Sequence, residues 1–252
     1  MAHHFRQTAA LSLGLVLIIT FSTDMTLAAD SSGMQAAESY VTVTAPLSAE
    51  INTKISFEKL FPETEEWMLL LVNERNPLEK DVKPQLVEVS GGQQVDKRIE
   101  EPLKAMLEAM REEGLRPLVC SGYRSIERQR ELFSEYIEDR IADGWSYEDA
   151  FYKAKRRIAI PGTSEHQTGL AVDIVGMSHQ SLDDTQAFTD EAVWLREHCA
   201  EYGFILRYPE DKTEITGIEY ESWHFRYVGT EAADYIMERE MVLEEFIDLT
   251  LS

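Results

Sequence analysis

The stretch that constrains this chain most is Ser164-Glu165-His166-Gln167-Thr168-Gly169-Leu170-Ala171-Val172-Asp173. It sets an imidazole seven residues before a carboxylate, with a glycine and an apolar run between them. The run reads as a strand, with Leu170, Val172 and Ile174 on one face and Ala171 and Asp173 on the other. A carboxylate in an apolar strand is costly to bury unless a cation or hydrogen bonds compensate it. Gly169 permits a tight backbone path after His166, so both side chains can converge on one point.

A second polar cluster, Glu221-Ser222-Trp223-His224-Phe225-Arg226-Tyr227, supplies another histidine and another carboxylate. In a regular strand His224, Arg226 and Val228 share one face, while Trp223, Phe225 and Tyr227 take the other and pack into core. Glu221 then faces away from His224 unless the chain bends just before the strand. With such a bend the parts of a catalytic zinc site are present: His166, Asp173 and His224 as ligands, an open position, and Glu221 as general base. Histidine and carboxylate donors suit Zn²⁺, and an all-oxygen shell for Mg²⁺ or Ca²⁺ is lacking. Zinc in such a site polarises a carbonyl or phosphoryl oxygen and lowers the pKa of its bound water to about 7. Attack by such a water builds negative charge on the oxygen of the group attacked, which calls for a cation. Arg124 is the candidate, at the end of a strand-like run and at a helix start, where the helix dipole disfavours a cation.

The phrase SEHQTGLAVDI followed by ESWHFRYVG resembles the zinc D-alanyl-D-alanine carboxypeptidases of the VanY type. The family pattern SxHxxGxAxD and then ExxH stands here without departure, and the upstream CSGYRS is similar to the family's arginine-bearing strand. The resemblance runs from about Leu71 to the C-terminus. It implies a zinc carboxypeptidase that removes the C-terminal D-alanine from peptidoglycan stem peptides. It also implies that Arg124 serves the substrate carbonyl or intermediate, and that Gln129 and Ser164 lie near the substrate. Arg226, Tyr123 and Trp223 are open between pocket lining and core. The resemblance does not separate action on pentapeptide stems (D,D) from action on tetrapeptide stems (L,D). A wall-binding domain that keeps zinc without turnover is an alternative, as is an endopeptidase, which needs a cleft open at both ends.

The 252 residues suit one catalytic domain, over 57–252, behind a leader. The net charge of −22 repels nucleic acid and anionic lipid, so neither is an expected partner, and a monomer is expected. Residues 1–28 read as an export signal: Arg6, an apolar run from Ala9 to Phe21, and small residues at Thr26-Leu27-Ala28. Retained uncleaved, this segment is an anchor and the one expected membrane contact. Either way the domain is placed outside the cell membrane. Residues 29–56 read as a flexible linker. Export permits a disulfide between Cys120 and Cys199, but the sequence leaves their pairing open.

Along the chain, strand-like runs fall at Leu86–Val89, Leu118–Arg124 and Phe204–Tyr208. Helical signals begin at Asp96, Ser125, Ser146 and Thr189, and a last helix is expected over Gly229–Phe246. Their irregular alternation predicts a single α+β domain with a small, mainly antiparallel sheet flanked by helices.

Overall fold

In the computed structural model, residues 57–78 and 82–251 are described. The expected signal segment (1–28) and linker (29–56) lie outside them. The first helix is α1, Phe57–Leu60, and a hairpin follows, β1 (Leu86–Glu88) and β2 (Gln94–Asp96). The Asp96 carboxylate accepts from the Arg98 amide and starts a short 3-10 turn, and α2 runs from Glu100 to Glu112. Pro102 sits in the first turn of α2, where a missing N–H removes no helical hydrogen bond. On α2, Leu103, Met106, Leu107 and Met110 turn one stripe into the core beside Ile99.

Next come β3 (Pro117–Ser121), α3 (Ile126–Ala142) and α4 (Tyr147–Arg157). Both helices begin as the sequence predicts: the Ser125 hydroxyl accepts from the Arg128 amide, and the Ser146 hydroxyl from the Asp149 amide. The remaining elements are β4 (Ala171–Gly176), α5 (Asp190–His198), β5 (Phe204–Leu206), α6 (Thr213–Thr216), β6 (His224–Tyr227), α7 (Thr230–Glu238) and α8 (Leu243–Leu251). The C-terminal helix expected as one piece is thus two. The chain turns after Glu238, Glu240 takes a left-handed φ of 52°, and the Met241 amide bonds back to the Ile236 carbonyl. The break lets α7 and α8 present Ile236, Leu243 and Phe246 to one core around Phe61.

The central sheet has the order β3-β4-β6-β5, antiparallel throughout. Its apolar face carries Val119, Leu170, Val172, Ile174, Phe225 and Tyr227 into the main core with α2 and α5. The sheet is small, mainly antiparallel and flanked by helices, as expected of an α+β domain. Cys120 and Cys199 are both free thiols. Among the described residues no helix is long and apolar enough to cross a membrane.

Candidate metal centre

The register of the sheet builds the site. Asp173 on β4 stands directly opposite His224 on β6 and pairs with Ser121 on β3 on its other side. Directly opposed residues of an antiparallel pair share a face, so Asp173 and His224 meet on the side away from the main core. A bulge at Cys120 shifts the register of β3 just there and re-aims the end of the strand. His166 arrives on a 3-10 turn, Glu165–Thr168, that stops at Gly169. Gly169 has φ 73°, and a Cβ there would lie 2.8 Å from the Asp96 amide nitrogen, so only glycine fits.

His166, Asp173 and His224 are all buried, and one ligand atom from each lies within 4.8 Å of the others. His166 Nε2 is 3.2 Å from Asp173 Oδ2, and His224 Nδ1 is 3.1 Å from Asp173 Oδ1. These nitrogens therefore face the centre. The other His166 nitrogen, Nδ1, is 2.7 Å from the Gly122 carbonyl, which fixes a proton on Nδ1 and leaves the Nε2 lone pair free. Asp173 Oδ1 is buried without a hydrogen-bond partner. A buried, partly unsatisfied carboxylate between two inward imidazole nitrogens is a donor set that a zinc ion satisfies.

The electrostatics agree. Burial works against ionising Asp173, yet His166 and His224 hold its carboxyl well below the usual range. Burial also pulls both imidazoles down. In His166 it prevails; in His224 the Asp173 and Glu165 carboxylates outweigh it and raise the group to about 9. Glu221 sits on a turn before β6, where the His224 amide bonds back to its carbonyl, so the bend that the sequence required is present. Its Oε2 is 3.7 Å from His224 Nδ1. Burial pushes the Glu221 carboxyl up to about 8, against the pull of His224.

Arg124 NH1 donates to Gln129 Oε1 at 2.8 Å and NH2 to Ser121 Oγ at 2.9 Å. NH2 is then 3.7 Å from Asp173 Oδ2, beside the metal centre. Ser164, His166, Asp173, Glu221, His224, Arg124 and Trp223 all line one cavity of about 340 Å³. Gln129 is placed otherwise. It is fully buried, it spends its oxygen on Arg124, and its amide nitrogen donates to the Ile158 carbonyl and, at 3.0 Å, to Ala159. It stands behind the cavity wall rather than on it. Cys120 Sγ donates to the Asp173 carbonyl at 3.4 Å, and burial pushes its thiol up to about 12, so it is no thiolate ligand.

A charged layer that sequence reasoning missed lies behind His224. Glu165 Oε1 accepts from Arg207 Nε at 2.8 Å and from Arg226 NH1 at 2.9 Å. Arg207 also forks onto both oxygens of Glu244, at 2.7 and 2.9 Å, and Arg226 donates to the carbonyls of Met68 and Leu70. Arg226 is thus a core residue, not a pocket residue. Strand alternation was the available signal: Arg226 shares the His224 face, and a buried guanidinium there demands a carboxylate.

A buried His–Asp–His set open to a cavity, with a carboxylate and a guanidinium at its edge, defines a mononuclear metallohydrolase centre. The chain belongs to the VanY family of D-alanyl-D-alanine carboxypeptidases, whose model matches residues 92–230, and is a metallo-carboxypeptidase. It is 42% identical over 185 residues to a D-alanyl-D-alanine carboxypeptidase of Enterococcus faecalis, covering 73% of this chain and 67% of that one. A crystal structure of a vancomycin-resistance D,D-pentapeptidase VanY mutant in complex with Zn(II) is 42% identical, with a TM-score of 0.66 over 72% of this chain and 99% of that one. The structure of the LdcB LD-carboxypeptidase is 35% identical, with a TM-score of 0.58 over 72% of this chain and 86% of that one.

Proposed function

We propose that this protein removes the C-terminal D-alanine from peptidoglycan stem peptides, with the D,D-linked end of a pentapeptide as its substrate. The observation that carries the mechanism is the seat of Glu221, a buried carboxylate on the cavity wall 3.7 Å from His224 Nδ1 and outside the ligand set. Zinc held by His166, Asp173 and His224 supplies Lewis acidity, polarising a peptide carbonyl and making water a nucleophile near neutral pH. Glu221 takes the proton from the attacking water and returns it to the nitrogen of the departing D-alanine. Burial raises this carboxyl in the metal-free centre, and the charge of a bound zinc ion would bring it back down, leaving it ionised to take the proton. Arg124, pinned by Ser121 and Gln129, donates to the oxygen that becomes anionic, without having to reorganise as charge develops. Ser164 contacts the peptide from the cavity wall.

The test is incubation of the zinc-loaded protein with defined muropeptides, with and without chelator, and product identification by mass. Chelator-sensitive release of D-alanine from the pentapeptide is the expected result. Release from the tetrapeptide alone replaces this reading with the L,D one, which the 35% identical L,D-carboxypeptidase supports. Binding without cleavage replaces it with a wall-binding role. We also propose that the protein is exported, which would place it at its substrate; the apolar run Ala9–Phe21 supports this. N-terminal sequencing of the secreted protein distinguishes a cleaved signal from a retained anchor.

A further inference from the structure

The VanY family match covers residues 92–230, yet the charged layer behind His224 is closed by residues on both sides of that stretch. Glu165 is fully buried, and its Oε1 accepts from Arg207 and Arg226. Each guanidinium then reaches outward. Arg226 NH2 donates to the carbonyls of Met68 and Leu70, before the matched stretch. Arg207 donates through NH1 and NH2 to the two oxygens of Glu244, on α8, after it. Asn73 Nδ2 donates to Glu244 Oε1 at 2.9 Å, so the two flanking segments also meet each other.

The charges of this layer balance only with α8 in place. Arg207 and Arg226 are fully buried cations, and Glu165 and Glu244 are the carboxylates paired with them. The Arg207–Glu244 contacts, at 2.9 and 2.7 Å, form a bidentate pair, which fixes direction as well as distance. Without the Glu244 charge, Arg207 would keep Glu165 as its ion-pair partner, and two buried guanidinium groups would compete for one carboxylate. That carboxylate is the one behind the metal centre. Its Oε2 lies 3.6 Å from His224 Nε2, just beyond hydrogen-bonding distance, so a small displacement of Glu165 alters the outer contact of a metal ligand.

We propose that Glu244 is a positioning residue of the metal centre: through Arg207 it fixes where Glu165 stands behind His224, and so how firmly His224 holds zinc. The C-terminal helix α8 is then part of the centre and not only a cover for the core around Phe61. The proposal rests on the zinc site and is independent of which peptide is cleaved.

The experiment compares the full chain in three forms: parental, Glu244→Gln and Phe246→Leu. Phe246 lies on the same helix, fully buried against Phe61 and Tyr235, and its substitution loosens α8 without removing a charge. Zinc affinity is read by chelator competition. Ligand geometry is read from the visible absorption of the cobalt(II)-substituted protein. Both are measured well below the Tm of each form. Glu244→Gln is expected to weaken zinc binding by about 10-fold, the lower end of the range for outer partners of a metal-binding histidine, and to change the cobalt spectrum. Phe246→Leu is expected to lower the Tm and leave affinity and spectrum parental. A Glu244→Gln variant with parental affinity and spectrum overturns the proposal. So does a Phe246→Leu variant that loses as much zinc affinity as Glu244→Gln, because helix docking and not the carboxylate is then what matters. Should Glu244→Gln not fold, Glu244→Asp is read in its place, since it keeps the charge but draws the carboxylate back from the fork of Arg207. A smaller loss of affinity supports the proposal, and parental affinity overturns it. A parental protein that binds no zinc overturns the metal centre itself, and this proposal with it.

Discussion

Glu165 Oε2 faces His224 Nε2 across 3.6 Å, and neither atom has a hydrogen-bond partner. With His224 turned to the metal centre through Nδ1, its other nitrogen carries the proton and points at a carboxylate whose second oxygen is held by two arginines. Outer partners of this kind fix the tautomer and orientation of a metal-binding histidine. Burial opposes charge on Glu165, but Arg207 and Arg226 hold its carboxyl well below the usual range, so it is ionised at neutral pH. Glu165→Gln should weaken zinc binding by about 10- to 100-fold, measured by chelator competition. It should also destabilise the fold by about 3–5 kcal/mol in denaturant unfolding, because Arg226 and Arg207 lose a buried partner. A variant with parental zinc affinity would remove Glu165 from the centre.

The domain should bind one zinc ion, and His166→Ala, Asp173→Ala or His224→Ala should each lose it. Three protein ligands leave no reserve. Metal analysis of dialysed protein checks this; full occupancy in any one of the three would strike that residue from the ligand set.

Glu221→Gln should keep both metal and fold, because the amide has nearly the same shape and Glu221 is not a ligand. The rate should fall about 10²–10⁴-fold, the usual contribution of a positioned acid–base group. Parental turnover would show that Glu221 is not the base, and lost zinc would show that it is a ligand.

Arg124→Lys should retain zinc yet lose most of its activity, since an ammonium cannot hold the Gln129 and Ser121 contacts and present a donor at the same time. A loss mainly in kcat places the guanidinium on the developing oxyanion. A loss mainly in KM places it on the ground-state carbonyl.

Metal-free protein should lose stability as pH rises from about 6.5, above which the lowered His166 adds no further change, to about 9. His224 is raised from the usual 6.5 to about 9, and Glu221 from 4.5 to about 8. A folded-state pKa above the unfolded value favours the folded form when protonated. The His224 contribution is therefore complete below about 6.5, the Glu221 contribution below about 4.5, and each fades as pH climbs through its folded value. Zinc takes the place of the His224 proton, so binding should release protons and tighten with pH over the same window. Thermal unfolding with chelator, and zinc competition at pH 6, 7, 8 and 9, test both. A metal-free Tm that rises across this range would contradict the assigned environment of His224.

What the sequence determined by itself was local. Strand alternation placed Asp173 and His224 away from the apolar face that carries Val172 and Phe225, and Ser125, Ser146 and Thr189 announced their helices through hydroxyls that reach only three residues. The period of a strand and the reach of a cap are properties of neighbouring residues, so neighbouring residues reveal them. The tertiary structure decided the rest. Glu165, Arg207, Arg226 and Glu244 read as ordinary charges in a chain that carries many, until folding brings them together out of water. Gln129 looked like a substrate contact until the Ile158 and Ala159 carbonyls came to meet its amide from some thirty residues away. The last helix looked continuous until the core around Phe61 required two faces at once. Burial of a charge or an amide is favourable only with a partner, and a partner distant in sequence leaves no periodic trace for the sequence to show.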